Sequence, residues 1–179
     1  MLFINRFKLK LLIILVIIFS FSNSVYAAYT VTGPVLGSIS SIFGMRVDPI
    51  NGIVRHHDGI DIAAPYGSPV YAMQDGVVMR CGLRGGYGLA ITLDHYYPNI
   101  PLIPRVQTTY GHCSVLFVHK GDYIKRGQVI ALVGSTGHST GPHLHFEVTY
   151  KGSAVNPIEY LVKLPGYLNY IDKVNRQYR

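Results

Sequence analysis

The chain has 179 residues, with sixteen Lys and Arg, nine Asp and Glu, eight His and two Cys. Its formal charge is +7 with His neutral, yet only 14% of residues are charged. No basic patch with interleaved aromatics and no phosphate-binding glycine loop is present, so nucleic acid is not an expected partner.

Arg6, Lys8 and Lys10 precede an apolar run from Leu11 to Phe21, broken only by Ser20, and Val25-Tyr26-Ala27 offers small residues at two positions. This pattern predicts a secretory signal at residues 1–27, cleaved after Ala27. The alternative is a retained anchor, but the run is short against the roughly 20 residues a spanning helix needs. Membrane attachment is therefore expected only through an uncleaved signal. Residues 28–179 then hold thirteen basic against nine acidic residues, a net +4 that suits an anionic polymer or lipid surface. A chain of that length makes one domain, expected over 28–165, and buries roughly 68–70% of its unfolded surface.

Glycine and proline punctuate this domain, with short β-branched and aromatic runs between them. Ser68–Met73, Gly76–Cys81, Leu89–Asp94, Val106–Tyr110, Gln128–Val133 and Leu144–Thr149 read as strands. Asp75-Gly76 and Gly121-Asp122 read as tight turns, and Gly85-Gly86-Tyr87-Gly88 as a link between antiparallel strands. Gly67-Ser68-Pro69-Val70 is echoed by Gly121-Asp122-Tyr123-Ile124, which suggests a duplicated β-unit. Tyr96–Pro104 contains three prolines and cannot be a central strand. It reads as a stiff loop, either a self-packed excursion or a groove wall. Pro157–Lys163 suits a short terminal helix, and 166–179 is a tail without a clear element. The expected fold class is all-β.

Cys81 and Cys113 would be allowed a disulfide in an exported protein, but free buried thiols are the expectation. The alternative is a nucleophilic Cys113 beside His112.

Two clusters carry potential chemistry. RHHDGID, Arg55 to Asp61, contains two histidines and two aspartates around one glycine. A tight turn at Asp58-Gly59 feeding a short strand would bring His57 and Asp61 to one point, and imidazole with carboxylate is an ordinary zinc pair. In the second cluster, TGPHLHFEV, a strand places His143 and His145 on one side and Leu144 on the other. Two imidazoles and one carboxylate would leave a coordination position open, as catalytic zinc sites do. Each cluster alone also has a bland reading as solvated histidine and turn chemistry.

The motif R-x-H-x-G-x-D at Arg55–Asp61 resembles the first motif of the lysostaphin-type (LytM-like) zinc endopeptidases of bacterial cell walls. Ser135–Glu147 is similar to their second, and Ser40–Arg46, Gly67–Ala72, Tyr110-Gly111-His112 and Lys120–Gln128 fit between and before. The resemblance covers roughly residues 36–161. It implies one Zn²⁺ held by His57, Asp61 and His145, with His112 and His143 beside the attacking water in proton transfer. It also implies an antiparallel β-sheet groove of the barrel-sandwich hybrid type with a short C-terminal helix. The implied activity is hydrolysis of peptidoglycan peptides by an exported enzyme, in the periplasm or at the cell wall. Two rivals are a non-catalytic activator or wall-binding module and a zinc peptidase acting on proteins. A regulatory protein partner is not identifiable from the residues.

Among other residues, His56 is displaced from the ligand register, and His95 and His119 read as structural or solvated. His138 is a candidate to face substrate. Glu147 shares the side of His145 and is a candidate to orient that ring. Arg46 and Arg55 are candidates to meet substrate carboxylates. Asp48–Gly52 lacks the tyrosine that some relatives carry before the first ligand.

Overall fold

A computed structural model describes residues 33–95 and 106–161. The predicted signal, the tail and the whole proline segment Tyr96–Pro104 lie outside the described residues. Among the described residues, twelve strands, one 3₁₀ turn and one short α-helix follow in order. β1 (Ser38–Ser41), β2 (Gly44–Val47), β3 (Val54–His57) and β4 (Gly59–Ala63) precede β5 (Pro69–Tyr71), β6 (Gly76–Leu83) and β7 (Leu89–Asp94). β8 (Val106–Leu116), β9 (Tyr123–Ile124), β10 (Val129–Val133), β11 (His143–Tyr150) and β12 (Ser153–Val155) lead to α1 (Pro157–Leu161). The main sheet runs β1-β4-β11-β8-β7-β6-β9, antiparallel throughout. β2 and β3 form a separate two-stranded ribbon.

All six predicted strands are present. β4 is the short strand expected after Asp58-Gly59, and β1–β3, β9 and β12 are additional, each four residues or fewer, too short to show alternation clearly. The suspected duplication has a structural counterpart. β5 pairs with β10 while β6 pairs with β9, so each unit contributes one strand to the other. The Gly85–Gly88 link is a 3₁₀ turn between β6 and β7. Asn156 accepts the Ile158 backbone N–H at 3.1 Å and Pro157 opens α1, a standard start for a helix.

Strand alternation builds the core and the site together. Ile60 and Ile62 of β4 lie opposite Phe146 and Leu144 of β11, and Tyr110 of β8 lies opposite Phe146. All five are buried, and Tyr110 packs on Phe146 with ring centroids 5.3 Å apart. Each such side chain contributes roughly 1.5–3 kcal/mol on burial. The intervening residues, Asp61, His143, His145 and Glu147, therefore take the other face. A register slip of one residue would drive the polar set into the core, so the apolar set fixes where the polar set points.

β8 departs from regular geometry where function is expected. Leu89 and Ile91 of β7 oppose Cys113 and Tyr110, so β8 has one extra residue there. His112 sits in that bulge with φ 59°, a rare conformation for a side-chain-bearing residue. Tyr110-Gly111-His112 is thus a kink within a long strand rather than its end.

Cys81 and Cys113 are both free. Cys113 is fully buried, and burial pushes its thiol up to about 12, which removes it as a nucleophile.

Candidate active site

β3, β4 and β11 bring the two sequence clusters together. His57 Nε2 stands 3.1 Å from His145 Nδ1 and 3.2 Å from Asp61 Oδ1, and His145 Nδ1 stands 2.9 Å from the same Oδ1. All three residues are buried. Asp61 and His145 are direct cross-strand partners, so the sheet register sets their spacing. Gly59 permits this approach. A Cβ added there would lie 2.4 Å from the Phe146 carbonyl oxygen and 3.0 Å from the His145 ring. Proximity of β11, rather than turn geometry alone, is what requires glycine.

The hydrogen bonds around the three donors fix which atoms face inward. His57 Nδ1 donates to the Ile42 carbonyl at 2.9 Å, which turns its Nε2 toward the cluster. His145 Nε2 reaches Glu147 Oε1 at 3.0 Å, which turns its Nδ1 toward the cluster. Glu147 is itself buried and accepts a hydrogen bond from the Tyr87 hydroxyl at 2.8 Å. Burial and the adjacent Glu147 push the Tyr87 phenol up to about 12, so it remains a donor.

This donor set fits a cation. Donors about 2.0–2.2 Å from a tetrahedral ion stand about 3.3–3.6 Å apart, slightly wider than the 2.9–3.2 Å observed. Burial opposes charge on both Asp61 and His145. Nevertheless the facing His145 and His57 rings hold the Asp61 carboxyl far below the usual range, and Asp61 and Glu147 lift His145 to about 9. The pocket thus favours a fixed negative charge and positive charge facing it. His57, Asp61 and His145 also form a three-residue group able to hold one metal ion.

Above these groups stand two further imidazoles. His112 and His143 have ring centroids 4.6 Å apart, and His143 Nε2 lies 3.6 Å from Asp61 Oδ1. His112 Nδ1 donates to Thr136 O at 2.7 Å, and His143 Nδ1 to Gly141 O at 2.8 Å. A carbonyl only accepts, so each Nδ1 carries a proton, and Nε2 is the lone-pair nitrogen whenever the ring is neutral. Burial pushes His112 down to about 4. The Thr136 bond opposes this and the neighbouring rings of His143 and His145 add to it. His112 is a neutral base at neutral pH.

All five predicted site residues line one groove, a cavity of about 400 Å³. His56 also lines it but points its Nδ1 to Asp58 at 2.8 Å, outside the donor cluster. His95 is buried and structural, and His119 is exposed in a turn beside Asp122. His138 reaches both oxygens of Asp48 at 3.3 Å and so joins the two groove walls.

Three relationships have no signature in the sequence. Arg46 pairs with Asp61 Oδ2 at 3.3 Å, Arg55 pairs with buried Asp48, and Tyr87 reaches Glu147. Asp48 Oδ1 also accepts the Ile50 and Asn51 N–H groups, which ties its carboxylate to the backbone of its loop.

Paired imidazoles poised above a buried two-histidine, one-carboxylate nest, on the floor of a β-walled groove, are the equipment of a metallopeptidase. Residues 55–157 match Peptidase family M23, and the chain belongs to that family. The DD-carboxypeptidase/endopeptidase Mpg of Neisseria meningitidis serogroup B is 45% identical over 127 residues, 71% of this chain and 28% of that protein. The peptidoglycan DD-endopeptidase ShyB of Vibrio cholerae is 40% identical over 116 residues, 64% of this chain and 25% of that protein. This chain therefore spans about a quarter of the length of these curated relatives. The catalytic domain of lysostaphin from Staphylococcus simulans superposes with a TM-score of 0.61 at 32% identity, covering 71% of this chain and 93% of that one. A zinc-containing peptidase from Vibrio cholerae superposes at 0.58 and 37% identity, covering 70% and 38%. The all-β, lysostaphin-type fold expected from the motifs is the fold observed.

Proposed function

We propose that this protein is an exported, zinc-dependent endopeptidase that hydrolyses amide bonds in peptidoglycan stem peptides or cross-links. The observation that carries this reading is the convergence of His57 Nε2, His145 Nδ1 and Asp61 Oδ1 beneath His112 and His143. The names of the relatives above point to the same substrate. The signal-like residues 1–27 and a net +4 on the remainder support export toward an anionic wall. No helix among the described residues is long and apolar enough to cross a membrane.

His57, Asp61 and His145 would hold the metal, and two imidazoles with one carboxylate are a zinc-type donor set. A bound zinc ion would polarise the scissile carbonyl and lower the pKa of water from 15.7 to about 7. The chain supplies the rest. Glu147 and the Ile42 carbonyl orient the two ligand rings. His112 and His143 present free Nε2 atoms to the groove, where one takes a proton from the attacking water and returns it to the leaving amine. Such general acid–base help is typically worth roughly 10²–10⁴-fold. The groove walls hold the peptide and exclude bulk water.

The test joins metal analysis to digestion of purified peptidoglycan, with wild type and His145→Ala in parallel. The expected result is about one zinc per chain and released fragments from wild type only. Bound zinc without fragments from peptidoglycan or from a protein substrate would instead favour a wall-binding module.

A further inference from the structure

Arg46 and Arg55 are direct cross-strand partners in the β2–β3 ribbon, and both line the groove. Like charges directly opposite on a ribbon repel, so the pair is maintained at a cost. Among the described residues each guanidinium has one carboxylate partner. For Arg46 it is Asp61 Oδ2, and for Arg55 it is Asp48. A guanidinium carries five N–H donors in a planar fork, so most donors of both remain available. Their side chains are 26% and 48% exposed, partly dehydrated yet reachable. Arg46 is also positioned for a change of partner. Asp61 Oδ1 belongs to the donor cluster, and a cation held there would compete with Arg46 for the Asp61 charge.

Position narrows the role. The Arg46 guanidinium is 3.3 Å from an oxygen of Asp61, which itself faces the reacting centre. An extended peptide advances about 3.3–3.6 Å per residue. Arg46 thus stands beside the reacting centre, within reach of a residue adjoining the scissile bond. Planar, bidentate capture of a carboxylate is the chemistry for which arginine is suited and lysine is not. Asp48, buried and tied to the backbone of its loop, fixes Arg55 and, through His138, the opposite wall.

We propose that Arg46 and Arg55 form a carboxylate-recognition subsite. The preferred substrates are then peptides with a free carboxylate on the residue adjoining the scissile amide. That carboxylate is either the C-terminus of the peptide or a branch or side-chain acid of an internal residue. This inference rests on the hydrolase reading above.

The experiment uses the zinc-loaded full chain and matched peptides of peptidoglycan composition. In one pair the C-terminal carboxylate is free or amidated, and in the other an internal acid is free or amidated. Rates are measured directly, and binding is measured by calorimetry on versions N-methylated at the scissile amide, which are not cut. Amidation of the recognised acid is expected to weaken binding and lower kcat/KM about tenfold or more. Which pair shows the contrast identifies the source of the carboxylate. In Arg46→Gln, and in Arg55→Lys, which keeps a cation beside Asp48, the acid-to-amide ratio is expected to fall toward one, with folding checked by thermal melting. Equal binding of acid and amide by wild type, or an undiminished ratio in both variants, overturns the subsite. Absent cleavage with the binding contrast intact overturns the hydrolase reading and leaves the subsite standing.

Discussion

His145 Nε2 lies 3.0 Å from Glu147 Oε1, and the same oxygen accepts the Tyr87 hydroxyl at 2.8 Å. The two residues are two apart on β11, so strand geometry alone keeps them on one side. The carboxylate holds the proton on Nε2 and leaves Nδ1 for a metal. Outer partners of this kind typically alter metal affinity 10–100-fold. Glu147→Ala is therefore expected to weaken zinc binding by about that factor in competition with a chelator. Glu147→Gln keeps an acceptor oxygen and should lose less. Tyr87→Phe should lose least, because Glu147 still reaches the ring. Unchanged zinc affinity in Glu147→Ala would remove the orienting role.

Gly59 makes a sharper structural prediction. Its missing Cβ would lie 2.4 Å from Phe146 O and 2.9 Å from Glu147 Cγ. The nearest obstacle is backbone, so β4 and β11 must separate. Gly59→Ala is expected to cost about 1–3 kcal/mol, as forced overpacking does, and to spread Asp61 from His145. Thermal melting and zinc content should fall together. A variant of wild-type stability and full zinc content would show that the close approach is not needed.

His112 and His143 are predicted to act in proton transfer without holding the metal. His112 has φ 59°, which asparagine tolerates better than alanine. His112→Asn is thus the cleaner substitution, with His143→Ala beside it. Each should keep its zinc and lose roughly 10²–10⁴-fold in kcat. Full activity in either variant would exclude that residue from the chemistry.

The residues differ in how far the sequence alone revealed them. His143 and His145 were legible because a two-residue spacing on a strand is a geometric statement by itself. His57 and Asp61 were legible only through their motif, since the turn at Asp58 could have served packing alone. The meeting of Asp61 with His145 spans 84 positions and depends on sheet register. Buried partners of Ile60, Ile62, Leu144 and Phe146 set that register, and no local pattern encodes it. Tyr87 read as part of a glycine link because its target, Glu147, is sixty residues away. Arg46 read as a substrate contact, and its partner Asp61 emerged only from the ribbon's placement over the sheet. The bulge at His112 was hidden because Gly111 looks like a strand end, whereas β8 continues to Leu116.

A buried polar chain away from the groove gives a pH prediction. His95 Nδ1 donates to Asp75 O at 2.8 Å, and its Nε2 meets Thr108 Oγ1 at 2.8 Å. Thr108 Oγ1 in turn lies 3.1 Å from the Tyr110 hydroxyl, which accepts the Met73 N–H at 3.0 Å. Thr108 Oγ1 donates to the Tyr110 hydroxyl, so the Tyr110 oxygen accepts from both Met73 and Thr108. Burial lowers the His95 pKa, against smaller opposing effects of the Asp75 carbonyl and of the Asp94 and Asp75 charges. Because the folded value lies below the unfolded one of about 6.5, the unfolded chain binds more protons in between. The stability from this group is therefore complete above about pH 6.5 and is lost as pH falls through the folded value. Asp48, Asp61 and Asp75 also have lowered values, but their window begins below about pH 4. Subtracting the melting profile of His95→Gln from that of wild type isolates the histidine. The difference should be largest near pH 7.5 and shrink toward pH 5. A difference that stays constant across that range would show that His95 does not couple folding to protons.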